Sequence, residues 1–217
     1  MDDSATEHAH PWFAAVYDPV TAWVERLVFR RHRAYLTENL SGPVLDIGSG
    51  TGAMFSHYGD KLESGATTVH AVEPDPHMLE QAREKATESD VDIELQRAAA
   101  ESLPFADDTF DTVIGALVFC TIGDAEQALS EIHRVLSPDG EFRFFEHVRD
   151  TGWRQSVQTA LNPVWKRAVG GCNLVRDTQR LFASGPEFEV AECQQFRDGL
   201  VPVNPFIRGV LCPTNVG

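Results

Sequence analysis

Val44-Leu45-Asp46-Ile47 reads as a buried strand, and it runs without a break into the glycine turn Gly48-Ser49-Gly50-Thr51-Gly52. Glycines at such a turn let the backbone approach a ligand closely, and a helix that opens behind it favours a negative group such as a carboxylate. A strand that is apolar on both faces belongs inside a covered sheet, so the turn is expected at the sheet's carboxyl edge.

The rest of the chain alternates in the same way. Short strands are expected at 44 to 47, 68 to 72, 91 to 96, 110 to 116 and 141 to 147, each followed by turn residues or a helical pattern. Val91, Ile93 and Leu95 alternate with Asp92, Glu94 and Gln96, which predicts a third strand with one wet face near a sheet edge. Asp18-Pro19 caps an apolar face of Val20, Trp23, Val24, Leu27 and Val28, predicting a helix from 20 to 39. Asp75-Pro76 opens another helix. Asp124 with Gln127 forms a capping-box arrangement ahead of Ala128, Leu129, Ile132, Val135 and Leu136, and Ser137-Pro138-Asp139-Gly140 is expected to stop that helix. After Asp150 the pattern gives helices near 153 to 168 and 175 to 183, and strands near 187 to 193 and 206 to 212. Strands alternating with helices predict a mostly parallel sheet covered on both faces.

Several classes fall away on composition. The chain has 217 residues, room for one sizeable domain, and no apolar run approaches the ~20 residues of a membrane span. Its start is polar and acidic rather than basic and then apolar, so a cytoplasmic location is expected. Cys120, Cys172, Cys193 and Cys212 lie far apart without a C-x-x-C pair, which predicts neither a metal site nor a disulfide framework, but buried free thiols. A net charge of -15, from 33 acids and 18 bases, argues against a nucleic-acid partner, which demands a basic footprint.

Two ligands compete for the glycine turn. Gly48, Gly50 and Ala53 match the G-x-G-x-x-A form of a dinucleotide fingerprint. Asp46 decides between them, because its carboxylate would repel a pyrophosphate but attract the ammonium of a methionyl group. Glu73, at the end of the next strand and 21 residues after Gly52, is placed to accept both hydroxyls of a ribose. Both features favour S-adenosylmethionine over a nicotinamide cofactor.

These residues resemble the class I S-adenosylmethionine methyltransferases, in the branch called methyltransferase type 11, from about Tyr17 to Glu146. The resemblance implies a single-domain Rossmann-like α/β fold: a seven-stranded, mostly parallel sheet with an antiparallel last strand and helices on both faces. It implies residues 1 to 42 as a helical segment over the cofactor site and 43 to 217 as the methyltransferase domain. The cofactor site it implies comprises Tyr17, Asp46, Gly48, Ser49, Gly50, Gly52, Glu73, Pro74, Met78, Ala100, Glu101, Ala116 and Leu117. Glu73 takes the ribose, Met78 packs on adenine, and Ala116 with Leu117 lines the methionyl arm. The family's usual aspartate before Leu-Pro-Phe is replaced by Ala99, so adenine recognition shifts to backbone near Ala100 or to Glu101.

A narrower resemblance follows Gly140. Phe144-Phe145-Glu146-His147-Val148, Asn162-Pro163-Val164-Trp165-Lys166, Gly171-Cys172-Asn173-Leu174-Val175-Arg176-Asp177 and Pro205-Phe206-Ile207-Arg208-Gly209 are similar to the membrane-associated thiol S-methyltransferases, without their apolar anchor. It implies a small-molecule methyl acceptor, with a thiol as the candidate, entering between the fifth strand and the helices after Asp150, and S-adenosylhomocysteine as product. A quinone ring, a phospholipid head group and, further off, nicotinamide-dependent oxidoreduction stay open as alternatives. His147 is the candidate catalytic residue, since it closes the fifth strand on the ligand edge and histidine titrates near neutral pH. Cys172 and Asn173 are expected to shape the same pocket.

Overall fold

A computed structural model describes residues 29–59, 68–197 and 202–214. Within them the chain builds β1 (Val44–Ile47), β2 (Val69–Val72), β3 (Ile93–Gln96), β4 (Phe110–Ala116), β5 (Leu136–His147), β6 (Phe188–Phe196) and β7 (Phe206–Pro213). They form one sheet in the order β3-β2-β1-β4-β5-β7-β6, with β7 antiparallel to both its neighbours. The helices are α1 (Arg30–Leu36), α2 (Pro76–Thr87), α3 (Ala125–Val135), α4 (Gly152–Ala168) and α5 (Thr178–Ser184). The helix expected over 20 to 39 is seen as α1; Tyr17 and the start of that helix lie outside the described residues.

The sheet separates two apolar clusters, as both-face coverage requires. Leu45 and Ile47 of β1 pack with Val113, Phe142, Phe144 and the inner face of α3, whereas Val44, Ile114 and Phe145 pack with Leu36, Leu40 and Phe206. β1 is buried along its whole length between β2 and β4. β3 lies at the edge with alternating half-buried and exposed residues, as its sequence pattern predicts.

Local signals fix the helix starts. The Asp75 carboxylate accepts the amides of His77 and Met78 with Pro76 in the first turn, and Asp124 accepts the amide of Gln127. α4 is tied down from its buried face. The Gln158 side chain accepts from the Asp150 amide and donates to the carbonyls of Pro202 and Asn204.

Two expectations need correction. Ser137 to Gly140 does not separate α3 from a later strand: β5 starts at Leu136, directly after the helix, and the turn residues bulge within it. Leu136 pairs with Phe110 and Glu141 with Thr112, so the strand regains register only past the bulge. The cysteines are not uniformly buried either. Cys120 and Cys172 are, but Cys193 is exposed on edge strand β6 and Cys212 is half-buried on β7.

Phe142 is fully buried and meets the rings of Phe119, Phe144 and Phe182 at centroid separations of 5.7, 6.2 and 5.8 Å. Phe142→Ala is expected to lose about 3–5 kcal/mol through transfer and cavity terms. Urea unfolding checks this, with a lowered midpoint at an unchanged slope.

Candidate active site

β1 and β4 are neighbours, yet β1 leads out to β2 on one side and β4 to β5 on the other. Their carboxyl ends therefore open a crevice at the point where strand order reverses. Gly48 and Gly50 stand there with φ of 61° and 57°, a backbone that L side chains rarely adopt. A Cβ at Gly48 would lie 2.2 Å from Val118 Cγ2, whereas one at Gly50 would meet open space. The first glycine packs the turn against the loop after β4, and the second leaves its face free.

Glu73 holds this turn in place. One carboxylate oxygen accepts the Gly50 amide at 2.9 Å and the other the Asp75 amide at 2.8 Å. Burial pushes its pKa up to about 7, against the pull of those two amides. Asp46 is 1% exposed, and burial likewise raises it to about 7, against the Tyr58 hydroxyl and the Arg33 guanidinium. Asp46 Oδ2 and Ser49 Oγ are buried without a hydrogen-bond partner. Unmet acceptors, a buried acid and open space before Gly50 fit a ligand that brings its own donors and positive charge. Pro74 and Met78 are half-buried beside them, at the start of α2.

The loop after β4 has a second acidic anchor. Glu146, fully buried near the end of β5, accepts the amides of Val118 at 2.8 Å and Phe119 at 3.0 Å. Burial pushes its pKa up to about 7, against those amides. Leu117 before them has φ of 62°, costly for a non-glycine residue at about 1–2 kcal/mol, and its amide donates to Phe145 O. Ala116 and Leu117 are half-buried at this edge and Ala100 is buried. One oxygen of Glu101 takes the amides of Gly123 and Asp124, so this residue also ties down the loop ahead of α3. Glu146 was not singled out from sequence, although an acid inside the apolar run Phe144 to Val148 was the signal for it.

The structure brings three further residues together. His147, 2% exposed, sets Nε2 3.1 Å from Cys172 Sγ, and the Trp165 indole N–H donates to the same sulfur at 3.3 Å. Cys120 joins them, the ligand atoms of all three lying within 4.8 Å of one another. The Asn173 amide donates to Cys120 O at 2.9 Å and so locks the two loops together. The Cys172 thiol is held below its ordinary pKa, first by Cys120 and then, against burial, by His147 and Trp165. For His147 burial acts downward, but the contact with Cys172 outweighs it and the net shift is up. Separations of 27 and 25 residues left no spacing pattern by which the sequence could announce this cluster.

A parallel sheet reversing order at β1 and β4, with an acid after β2 holding a glycine turn, defines the Rossmann-like methyltransferase class. Known proteins agree. The methyltransferase domain matches residues 45–144. The human thiol S-methyltransferase TMT1A is 30% identical over 172 residues, covering 76% of this chain and 68% of that protein. The phosphatidylethanolamine N-methyltransferase of Cereibacter sphaeroides is 32% identical over 150 residues, 68% of this chain and 71% of that protein. In fold, a SAM-dependent methyltransferase from Thermotoga maritima superposes with a TM-score of 0.65 at 21% identity, over 91% of this chain and 97% of that one. The chain belongs to the S-adenosylmethionine-dependent methyltransferases. Its cofactor is S-adenosylmethionine, whose sulfonium supplies the methyl group, and the nicotinamide alternative falls.

Ribose hydroxyls and an ammonium favour ionised carboxylates, so if Glu73 and Asp46 receive them, cofactor binding is expected to release protons below pH 7. Affinity is then expected to rise from pH 5.5 to 7, by up to about tenfold per unit for each group. Glu73→Gln should flatten part of that slope. Glu73→Ala should weaken S-adenosylmethionine and S-adenosylhomocysteine alike, by roughly 1.5–3 kcal/mol for each charged hydrogen bond lost. Calorimetric titration in buffers of different ionisation enthalpy reads both quantities, and an unchanged mutant affinity removes Glu73 from the site.

Proposed function

We propose that this enzyme transfers the methyl group of S-adenosylmethionine to the sulfur of a small apolar thiol. The observation that carries the proposal is the likeness, over 76% of the chain, to a thiol S-methyltransferase. In the cofactor site, Glu73 takes the ribose hydroxyls, Asp46 the ammonium, the glycine turn with Ser49 the methionyl carboxylate, and Pro74 and Met78 one face of the adenine. Ala100 and Glu101 border the adenine edge, and Ala116 and Leu117 the methionyl arm.

Displacement at a sulfonium methyl needs a nucleophile aligned and stripped of water more than it needs a catalytic dyad. A free thiol has a pKa of about 8.5, so only a few per cent is thiolate at neutral pH. His147, at the end of β5, is the group proposed to raise that fraction for an acceptor entering beside α4. The similarity to a phosphatidylethanolamine N-methyltransferase favours a second reading, a phospholipid head group as acceptor.

Mass-spectrometric screening of alkyl thiols, phenols, amines and phosphatidylethanolamine should show methylation of the thiols. Transfer to the amine head group alone would install the second reading. His147→Ala should lose most activity toward an alkyl thiol at pH 6 and progressively less up to pH 9, where the acceptor ionises unaided. A mutant-to-wild-type ratio near one at every pH would remove His147 from the reaction.

A further inference from the structure

The cluster at the end of β5 holds more nucleophilic chemistry than alignment of a methyl acceptor requires. Two thiols and an imidazole converge with all three side chains buried. Each comes from a separately braced segment: Cys120 from the loop whose amides Glu146 takes, His147 from the last position of β5, and Cys172 from the turn after α4 under the Trp165 indole. Tetrahedral zinc, with bonds of about 2.3 Å to sulfur and 2.0 Å to nitrogen, sets its ligand atoms roughly 3.5–3.8 Å apart. The 3.1 Å between His147 Nε2 and Cys172 Sγ, within an envelope of 4.8 Å, brackets that separation. Beside the cluster, Glu146 Oε2 and His147 Nδ1 are buried without a hydrogen-bond partner. Two thiols and an imidazole whose donor atoms converge, beside buried polar atoms that have no partner, make a cluster with the donor set and spacing of a soft-metal site.

We infer that Cys120 Sγ, His147 Nε2 and Cys172 Sγ bind a soft divalent cation, zinc, and leave its fourth position open for the sulfur of the methyl acceptor. Thiolate and imidazole donors select zinc over the hard cations, and three protein ligands with one open position are the mark of a catalytic rather than a structural site. Cys120 follows Leu117 by three residues, so the open position lies at the edge where the methionyl arm is proposed to end. The role of the acceptor rests on the thiol reading above. A thiol entering the open position loses its proton to solvent and binds as thiolate. Its sulfur then bonds to the methyl carbon as the carbon–sulfonium bond breaks, and that electron pair stays on the sulfur of S-adenosylhomocysteine. The neutral thioether is a poor ligand and leaves. His147 thus supplies thiolate by holding the cation rather than by taking the proton itself.

The full chain, stripped with a chelator under a non-thiol reductant, is titrated with cobalt(II) as a spectroscopic substitute and with zinc in competition with a colorimetric chelator. One cobalt per chain with a sulfur-to-cobalt charge-transfer band is expected, displaced by zinc. Cys120→Ser and Cys172→Ser should each weaken binding at least roughly tenfold, the scale on which metal-site shells act. Should either variant fail to fold, the wild-type charge-transfer band decides alone. No such band, or serine variants that bind as tightly as wild type, overturns the site. An alkyl thiol should shift the cobalt spectrum, and zinc should restore methyl transfer to the stripped enzyme. Equal thiol methylation with and without zinc overturns the acceptor role. Cobalt binding through these cysteines in an enzyme that methylates no thiol would sustain the metal site while the proposed substrate class fell.

Discussion

Glu73 receives the Gly50 amide on one oxygen and the Asp75 amide on the other, and the ligand edge of this protein is organised around that contact. Without it, a turn with three left-handed glycines, Gly48, Gly50 and Gly52, has little to choose one conformation, because glycine gives up the most entropy on being fixed. With it, the loop after β1, the end of β2 and the cap of α2 are tied to one another. The acid that receives the cofactor's ribose in the proposed site is thus the same acid that shapes the floor on which the cofactor lies.

Glu146 repeats the device on the other side of the crevice. Its two amide contacts hold Val118 and Phe119, stabilise the strained Leu117 ahead of them, and set where Cys120 points. Both acids stand near the carboxyl ends of strands, where main-chain amides leave the ladder and have lost their strand partners. Carboxylates are the short-range answer to that shortage. Being buried, they tie the geometry of the loops to their own state of ionisation.

How much of this could be read in advance depended on whether a feature was local. Strand alternation, the Asp75 and Asp124 caps, the edge character of β3 and the glycine turn are encoded within a few residues, and the structure reproduces each of them. Glu73 was legible because a βαβ unit has a nearly fixed length, so distance along the chain stands in for distance in space. The bulge at Ser137 to Gly140 was misread because turn residues that end a helix also suit an irregularity in the following strand. The meeting of Cys120, His147 and Cys172 was illegible for a deeper reason: it depends on β4 and β5 being neighbours and on Gln158 tying α4 to the segment ahead of β7. No spacing rule carries information about a contact that three separate elements create.

The electrostatics bind these levels together. Asp46 and Glu73 are held near a pKa of about 7, well above ordinary carboxylates at 3.8 and 4.5. A group whose folded pKa exceeds its unfolded one retains its full contribution to stability below the unfolded value and loses it as pH rises toward the folded one. The empty fold is therefore penalised by these two acids progressively between about pH 4 and 7, the range that ends where an enzyme at neutral pH works. In the proposed site S-adenosylmethionine brings its ammonium to Asp46, whose Oδ2 is otherwise unmet, and its ribose hydroxyls to Glu73. In that proposed arrangement its binding would favour the ionised carboxylates and offset the penalty, since a ligand that binds only the folded state stabilises that state in proportion. S-adenosylhomocysteine keeps the ammonium and the hydroxyls but has lost the sulfonium charge. In the proposed site the contacts to ammonium and ribose would therefore persist through turnover, and the charge lost at the sulfur would be what favours release of product.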